Sequence, residues 1–454
     1  MDATTLLENL QSGSTTPQKL VIDAISKLEF ENPKLNAATE ILKVEAQAQL
    51  QNLQQGVLTG IPISIKECYA IQGKKITSGS KRMKPIHCPE DAAVVKKLKN
   101  AGAIVVARGN TSEFLLGRET DNLVFGTTNN AINNALTSGG SSGGDASLVA
   151  SNCVAFGIGT DIGGSCRYPA VFNGIIGFKP ASGQIDKTGI FPSADNAFIE
   201  SMNSPGVLCQ SVRDTRLVYN VIGNKQLNKN SSTNDVQIFT ASDFQVTIKD
   251  SSISNALDDS INFFKAHFSV KDISIPESGK LFTHFVTLMC GGFTDKIYEW
   301  SKTESGENLT FLGELMRRLS GKPTLSHEIF SMLIPFNIFK PSSSKLEKTI
   351  DEVSSLREKY NSLLGKNGVL ILPTLGILAP KHRKLIPQYN KPGVVKIITP
   401  ISFCNVLNLS CITIPGKKHL QNSSTNPPGI QLIVAEGNEE LLLNVAELLE
   451  AHLK

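Results

Sequence analysis

Apolar and polar positions mix at helical period over residues 2–55, so that stretch reads as helical. The pattern then changes. Ile61, Ile63 and Ile65 alternate with Pro62, Ser64 and Lys66, which predicts a strand carrying its isoleucines on one face. A helix from Asp91 and a strand over 104–107 follow. Residues 145–150 (DASLVA) predict a helix with Asp145 in its first turn, where a carboxylate suits the helix dipole. Residues 153–158 (CVAFGI) form a short apolar run that predicts a buried strand. A polar, Ser/Asn-rich loop over 225–234 precedes a strand over 236–240 and a mainly helical region over 249–365. Strands are predicted again over 369–372, 411–414 and 431–435, with a loop at 422–428 and a closing helix over 439–453. Strands alternating with helices argue an α/β fold with helices on both faces of a sheet.

Composition narrows the class. A chain of 454 residues can bury a large core, as one large domain or two to three smaller ones. Its 45 basic and 41 acidic residues nearly balance, and no long basic run occurs, so nucleic acid is not an expected partner. The eight cysteines are scattered, with no C-x-x-C and none paired with histidine at zinc spacing. They read as reduced thiols, and no metal is expected. Residues 1–20 lack a cationic start followed by an apolar block, so neither a secretory signal nor an anchor helix is expected, and the location is read as cytoplasmic. The apolar segment 329–339 (IFSMLIPFNIF) is interrupted by Pro335 and is shorter than the roughly 20 residues a bilayer needs. It reads as core packing, a lid or an interfacial contact.

The densest chemistry lies in residues 138–180, which hold two glycine-wrapped serine clusters, Gly139-Gly140-Ser141-Ser142-Gly143-Gly144 and Asp161-Ile162-Gly163-Gly164-Ser165. Glycine permits positive φ and close backbone approach, so such clusters suit sites built from backbone N–H groups. One serine leads into a predicted helix and the other follows a predicted strand, so Ser141 and Ser165 come close if the helix folds back. The dinucleotide pattern fails at Ile162, the phosphate-loop pattern lacks its lysine, and the G-x-S-x-G pattern fails at Arg167. What remains is a serine on a glycine turn whose N–H groups suit an oxyanion.

A serine nucleophile needs a base. The seven histidines all fall outside this stretch, in contexts that read as surface or packed residues. Lys66 ends the isoleucine strand, where desolvation would leave part of it neutral; a solvated strand-end lysine is the alternative. Cys166 adjoins Ser165 without a neighbouring base and reads as packing.

Lys66 in GIPISIKE, the paired serines of GGSSGG, and Ser165 in GTDIGGSCRYPAVFNGIIGFKP together resemble the amidase signature family. The likeness runs from the N-terminal helices to the closing helix. It implies one amidase signature domain over 1–454, with a mixed central β-sheet covered by helices on both faces (α/β/α). Within it, 1–59 would be an N-terminal helical segment, 60–222 the signature core, and 235–454 a C-terminal α/β part with substrate-cap helices. The resemblance implies a Ser-Ser-Lys triad. Ser165 would be the nucleophile, Ser141, after a cis peptide bond, the proton relay, and Lys66 the base. The oxyanion hole would fall on the N–H groups of Ile162, Gly163, Gly164 and Ser165. Asp161 and Arg167 would brace that loop, and Ser142 would lie behind the triad. Phe114, Leu115 and Leu116 align with the family's acyl-pocket segment, although three apolar residues after a polar cap equally suit a core helix.

Glu67 stands where many members have aspartate. Lys-Glu, FNGIIGFKPASGQIDKTGIFP, SGKPTLSHEIFSMLIPF and LPTLGILAPKH resemble the fatty-acid amide hydrolase branch, in particular its fatty-acid amide hydrolase 2-like members. That implies hydrolysis of lipid-like amides to an acid and an amine, with no cofactor. Some eukaryotic members of the branch carry an N-terminal anchor that this chain does not show. Peripheral membrane contact and a homodimer both fit the resemblance. A glutaminase like the one within glutamyl-tRNA(Gln) amidotransferase and a general small-amide amidase are the other readings within the family.

Overall fold

The computed structural model describes residues 2–228, 235–303, 305–384, 395–417 and 426–454. The strands of its central sheet are β1 (Ala38–Ile41), β2 (Pro62–Lys66), β3 (Ile104–Gly109), β4 (Phe156–Asp161), β5 (Ile176–Lys179), β6 (Ser204–Cys209), β7 (Gln237–Thr240), β8 (Ser269–Asp272), β9 (Gly368–Pro373), β10 (Ser410–Pro415) and β11 (Gly429–Val434). They form one sheet in the order β1-β3-β2-β4-β6-β5-β10-β11-β9-β7-β8. The sheet is mixed. β2 runs parallel to β3 and β4, β7 runs parallel to β8 and β9, and the strands between are antiparallel.

The principal helices are α1 (Ala3–Gln11), α2 (Pro17–Leu35), α3 (Lys43–Gln51), α4 (Ala93–Asn100), α5 (Gly143–Ala150), α6 (Arg167–Asn173), α7 (Val212–Ile222), α8 (Ser251–His267), α9 (Ser278–Trp300), α10 (Phe311–Leu319), α11 (His327–Ile338), α12 (Ser343–Leu364), α13 (Val395–Val406) and α14 (Glu439–Leu453). They cover both faces of the sheet, as the alternation of strands and helices requires. Val105 of β3 belongs to the core that also holds Val95 of α4, Tyr219 of α7, Phe264 of α8 and Leu442 of α14. Ile104 and Val106 pack on the other side with Ile25 of α2, Ala46 of α3 and Val149 of α5. Both faces of β3 are therefore buried. No described helix is long and apolar enough to cross a membrane.

β2 decides where the chemistry sits. Ile63 and Ile65 enter the α4/α7/α14 side, so by strand alternation Ser64 and Lys66 face the α5 side. All five residues of this strand are buried.

Several elements depart from the sequence expectations. β1 interrupts the predicted helical stretch 2–55, because Asn36 takes a left-handed conformation that ends α2 and turns the chain back along β3. The strand predicted from Cys153 begins at Phe156 and continues to Asp161; the residues before it form the turn after α5. Strands β5, β6 and β8 and helix α6 were not expected. The predicted strand at 236–240, the late strands and the closing helix appear within one or two residues of their expected limits. Part of the loop at 225–234 and part of that at 422–428 lie outside the described residues.

Candidate active site

The two serine clusters meet because α5 folds back along the sheet. The backbone N–H of Ser142 donates to the carbonyl of Ser165 at 3.1 Å. The Gly140–Ser141 peptide is cis. Lys66 reaches the same place from the end of β2. Its Nζ lies 2.7 Å from Ser141 Oγ, 2.9 Å from Ser142 Oγ and 2.9 Å from Thr160 Oγ1. Thr160 sits in β4, which pairs directly with β2, and it went unremarked in the sequence.

Lys66 is fully buried, which excludes the solvated strand-end alternative. Burial lowers its pKa from the ordinary lysine value, outweighing its neighbours, which raise it. Of those neighbours, burial pushes the Cys68 thiol up to about 12 and the Cys166 thiol higher still, so both are neutral near pH 7. The carboxyl groups among them are Asp145 and Asp161.

Asp161 is committed to the turn it precedes. Burial alone would raise its pKa, but the Arg167 guanidinium holds it well below the usual carboxylate range. Arg167 donates to it through Nε and through a terminal nitrogen, both at 3.0 Å. The same guanidinium bonds Ile401 O, Gln431 Oε1 and Asn405 Oδ1. Asn405 in turn donates to Asp161 O and Oδ1. The glycine turn is thus tied to α13 and β11 by a fully buried network.

Gly164, whose N–H was expected in the oxyanion hole, has that N–H turned to the loop itself. Gly164 N–H donates to Asp161 Oδ1 at 2.8 Å, so it braces the turn. Gly164 holds φ +106°, and a Cβ there would press into the Ile401 side chain, which is why glycine is needed. Ile162, Gly163 and Ser165 instead line a cavity of about 310 Å³.

That cavity is mostly apolar. Phe282, Phe285, Val286 and Met289 line it from one face of α9, at the i, i+3, i+4, i+7 spacing of a helix. Met332, Pro335 and Phe336 of α11 and Phe339 just after it line it from the 329–339 segment. Ile329 and Leu333 of that segment enter the core, while Ile334 and Ile338 are exposed. Among the described lining residues the charged one is Arg118, which pairs with Glu328 at 3.0 Å. No histidine is among them.

The predicted acyl-pocket trio divides. Leu115 and Leu116 line the cavity. Phe114 does not; it packs in the core against Trp300, with ring centroids 5.7 Å apart. Phe114 and Leu115 both have positive φ, 53° and 62°, so the chain turns too tightly to hold all three side chains on one helical face.

The Amidase family profile matches residues 19–272. Among curated proteins, the chain is 27% identical over 483 aligned residues to fatty-acid amide hydrolase 2-B of Danio rerio, covering 99% of this chain and 89% of that one. It is 36% identical over 236 residues to one of the subunits of glutamyl-tRNA(Gln) amidotransferase from Lactobacillus acidophilus, a match that spans about half of either chain (52% and 48%). The fold is shared with solved 6-aminohexanoate cyclic dimer hydrolase bound to its substrate, at TM-score 0.83 and 22% identity over 100% of this chain and 97% of that one.

Proposed function

Because the chain belongs to the amidase family and is a hydrolase of amide C–N bonds, we propose that it acts on hydrophobic, fatty-acid-like amides through Lys66, Ser141 and Ser165. One observation carries the substrate reading: the cavity that contains Ser165 in its wall is lined by aromatic and aliphatic side chains, and its charged member is already ion-paired. Such a site rewards an acyl chain by burying it. Free glutamine carries an ammonium and a carboxylate, each of which would need a partner there.

The proton path follows from the hydrogen bonds. A neutral amine keeps two N–H donors and one lone pair. With Ser142 and Thr160 accepting, the lone pair of Lys66 falls to the Ser141 hydroxyl. Lys66 takes the Ser141 proton, Ser141 takes that of Ser165, and Ser165 Oγ bonds the substrate carbonyl carbon. The oxyanion that forms accepts from the N–H groups of Ile162, Gly163 and Ser165; one such donor is worth about 2.7–4 kcal/mol. As the C–N bond breaks, the proton returns through Ser141 to the departing amine. Water, deprotonated by the same relay, then releases the acid from the acyl-enzyme and restores Ser165.

A panel of primary amides of increasing acyl length, with glutamine alongside, tests the substrate class. kcat/KM is expected to rise about fourfold per added methylene until the cavity is filled, since each buried methylene contributes about 0.8 kcal/mol. Turnover of glutamine above that of the longer acyl amides would instead favour the glutaminase reading.

A further inference from the structure

We propose that Asp145 is a positioning residue for the reaction: its carboxyl group, buried beside Lys66 and held by Ser64, sets the pH at which Lys66 becomes a base. The proposal rests on the reading of Lys66 as that base.

The sheet makes room for this carboxyl group. Ser64 and Lys66 lie two apart on the α5 face of β2. Gly109 of β3 is the register partner of Lys66, and Gly157 of β4 is the partner of Ser64. Both glycines leave space that Asp145 fills. A Cβ at Gly109 would collide with the Asp145 carboxyl group, and one at Gly157 would come within 2.8 Å of Asp145 Cβ and 2.9 Å of Ser64 Oγ. Three adjacent strands thus present a hollow to one acidic side chain of α5. The sequence expectation of a carboxylate serving the helix dipole accounts for none of this.

Inside the hollow Asp145 is fully buried. Ser64 Oγ donates to its Oδ1 at 2.7 Å, and Oδ2 has no hydrogen-bond partner among the described residues. An ionised carboxylate is costly there, so burial favours the neutral acid. Burial pushes Asp145 up to about 7, against the Ser64 hydrogen bond and the Lys66 charge, which lower it.

The other groups around Lys66 cannot play this part. Asp161, at the end of β4, is neutralised by Arg167. Glu67, whose side chain alternates to the opposite face of β2, lies 3.7 Å from Arg108 of β3 and accepts from Thr77 and Ser78. Cys68 and Cys166 stay protonated, and Tyr69 donates its hydroxyl proton to Gly159 O. Asp145 is the carboxyl group near Lys66 that has no cation of its own among the described residues. Burial favours the neutral form of both partners, and a proton passing from Lys66 to Asp145 neutralises both without changing the charge of the pocket. When Asp145 is ionised it holds the proton on Lys66; when it is neutral it releases Lys66 to act.

Asparagine keeps the shape of Asp145 and its contact with Ser64 but carries no charge. Asp145→Asn is therefore expected to move the acid limb of the kcat/KM profile to lower pH by about one unit or more, with activity kept on the plateau. Ser64→Ala removes the bond that favours the ionised carboxylate, so it should move the limb the same way by less, and it serves where Asp145→Asn does not fold. Folded variants with an unmoved acid limb, or with activity lowered equally at every pH, would overturn the proposal. A fully active Lys66→Ala variant would instead overturn the reading on which it rests.

Discussion

Replacing Lys66 with alanine is expected to lower kcat on an amide substrate by about 10²- to 10⁴-fold, the usual contribution of a positioned general base. Ser141 is fully buried and its Oγ lies 2.7 Å from Lys66 Nζ, so without the amine the relay has no acceptor for the serine proton. The leaving amine also loses its proton source, which is the harder half of amide cleavage. The sign of the pH dependence follows from burial. Lys66 is held below the ordinary lysine pKa, and as the proposed base it acts in its neutral form. Wild-type activity should therefore rise across the range of pH below the ordinary lysine pKa and level off once Lys66 is neutral. Steady-state kinetics of both proteins across that range, with circular dichroism to establish folding, checks this. A folded variant with near-normal kcat and an intact acid limb would place the base elsewhere.

Asp161→Asn is expected to destabilise the fold by about 3–5 kcal/mol, the usual cost of leaving one member of a buried ion pair without its partner. Arg167 is fully buried and would keep its charge with only neutral acceptors, Ile401 O, Gln431 Oε1 and Asn405 Oδ1. The glycine turn would also lose the carboxylate that accepts from the N–H groups of Gly164 and Cys166, so activity should fall with stability. Because the native pKa of Asp161 is depressed, its stabilisation is fully present above the ordinary carboxylate range. It fades as pH falls towards the native value. Urea denaturation at neutral pH therefore sees the whole effect. A midpoint shift worth less than about 1 kcal/mol would mean that the network is not rigid enough to hold the turn.

The parts of the fold that were legible are those whose sequence carries its own period or boundary. Residues 369–372, 411–414 and 431–435 are short apolar runs, and they are strands buried on both faces. Strand β6 was hidden because it opens on Ser204-Pro205-Gly206, residues that disfavour strands, and is held by register with β4 and β5 on either side. The site divides in the same way. Lys66, Ser141 and Ser165 stand in dense local patterns. Asn405 and Gln431, which secure Arg167, lie more than 200 residues from it in the chain, and no period links them to it. The face of α9 that lines the cavity was open to discovery, since Phe282, Phe285, Val286 and Met289 follow helical spacing. That spacing gave no sign of whether the face would meet a core or a cavity. Asp145 shows the opposite failure. Its position in the first turn of a helix offered an explanation that suited the sequence, whereas the two glycines across the sheet reveal its actual surroundings.

In the proposed mechanism Ser165 is the nucleophile and Lys66 activates it through Ser141. Labelling the purified enzyme with a fluorophosphonate and mapping the modified peptide by mass spectrometry tests it most directly. One adduct is expected, on Ser165, absent from Ser165→Ala and formed more slowly in Lys66→Ala. An adduct on another serine of the folded protein, or a rate of labelling indifferent to Lys66, would contradict it.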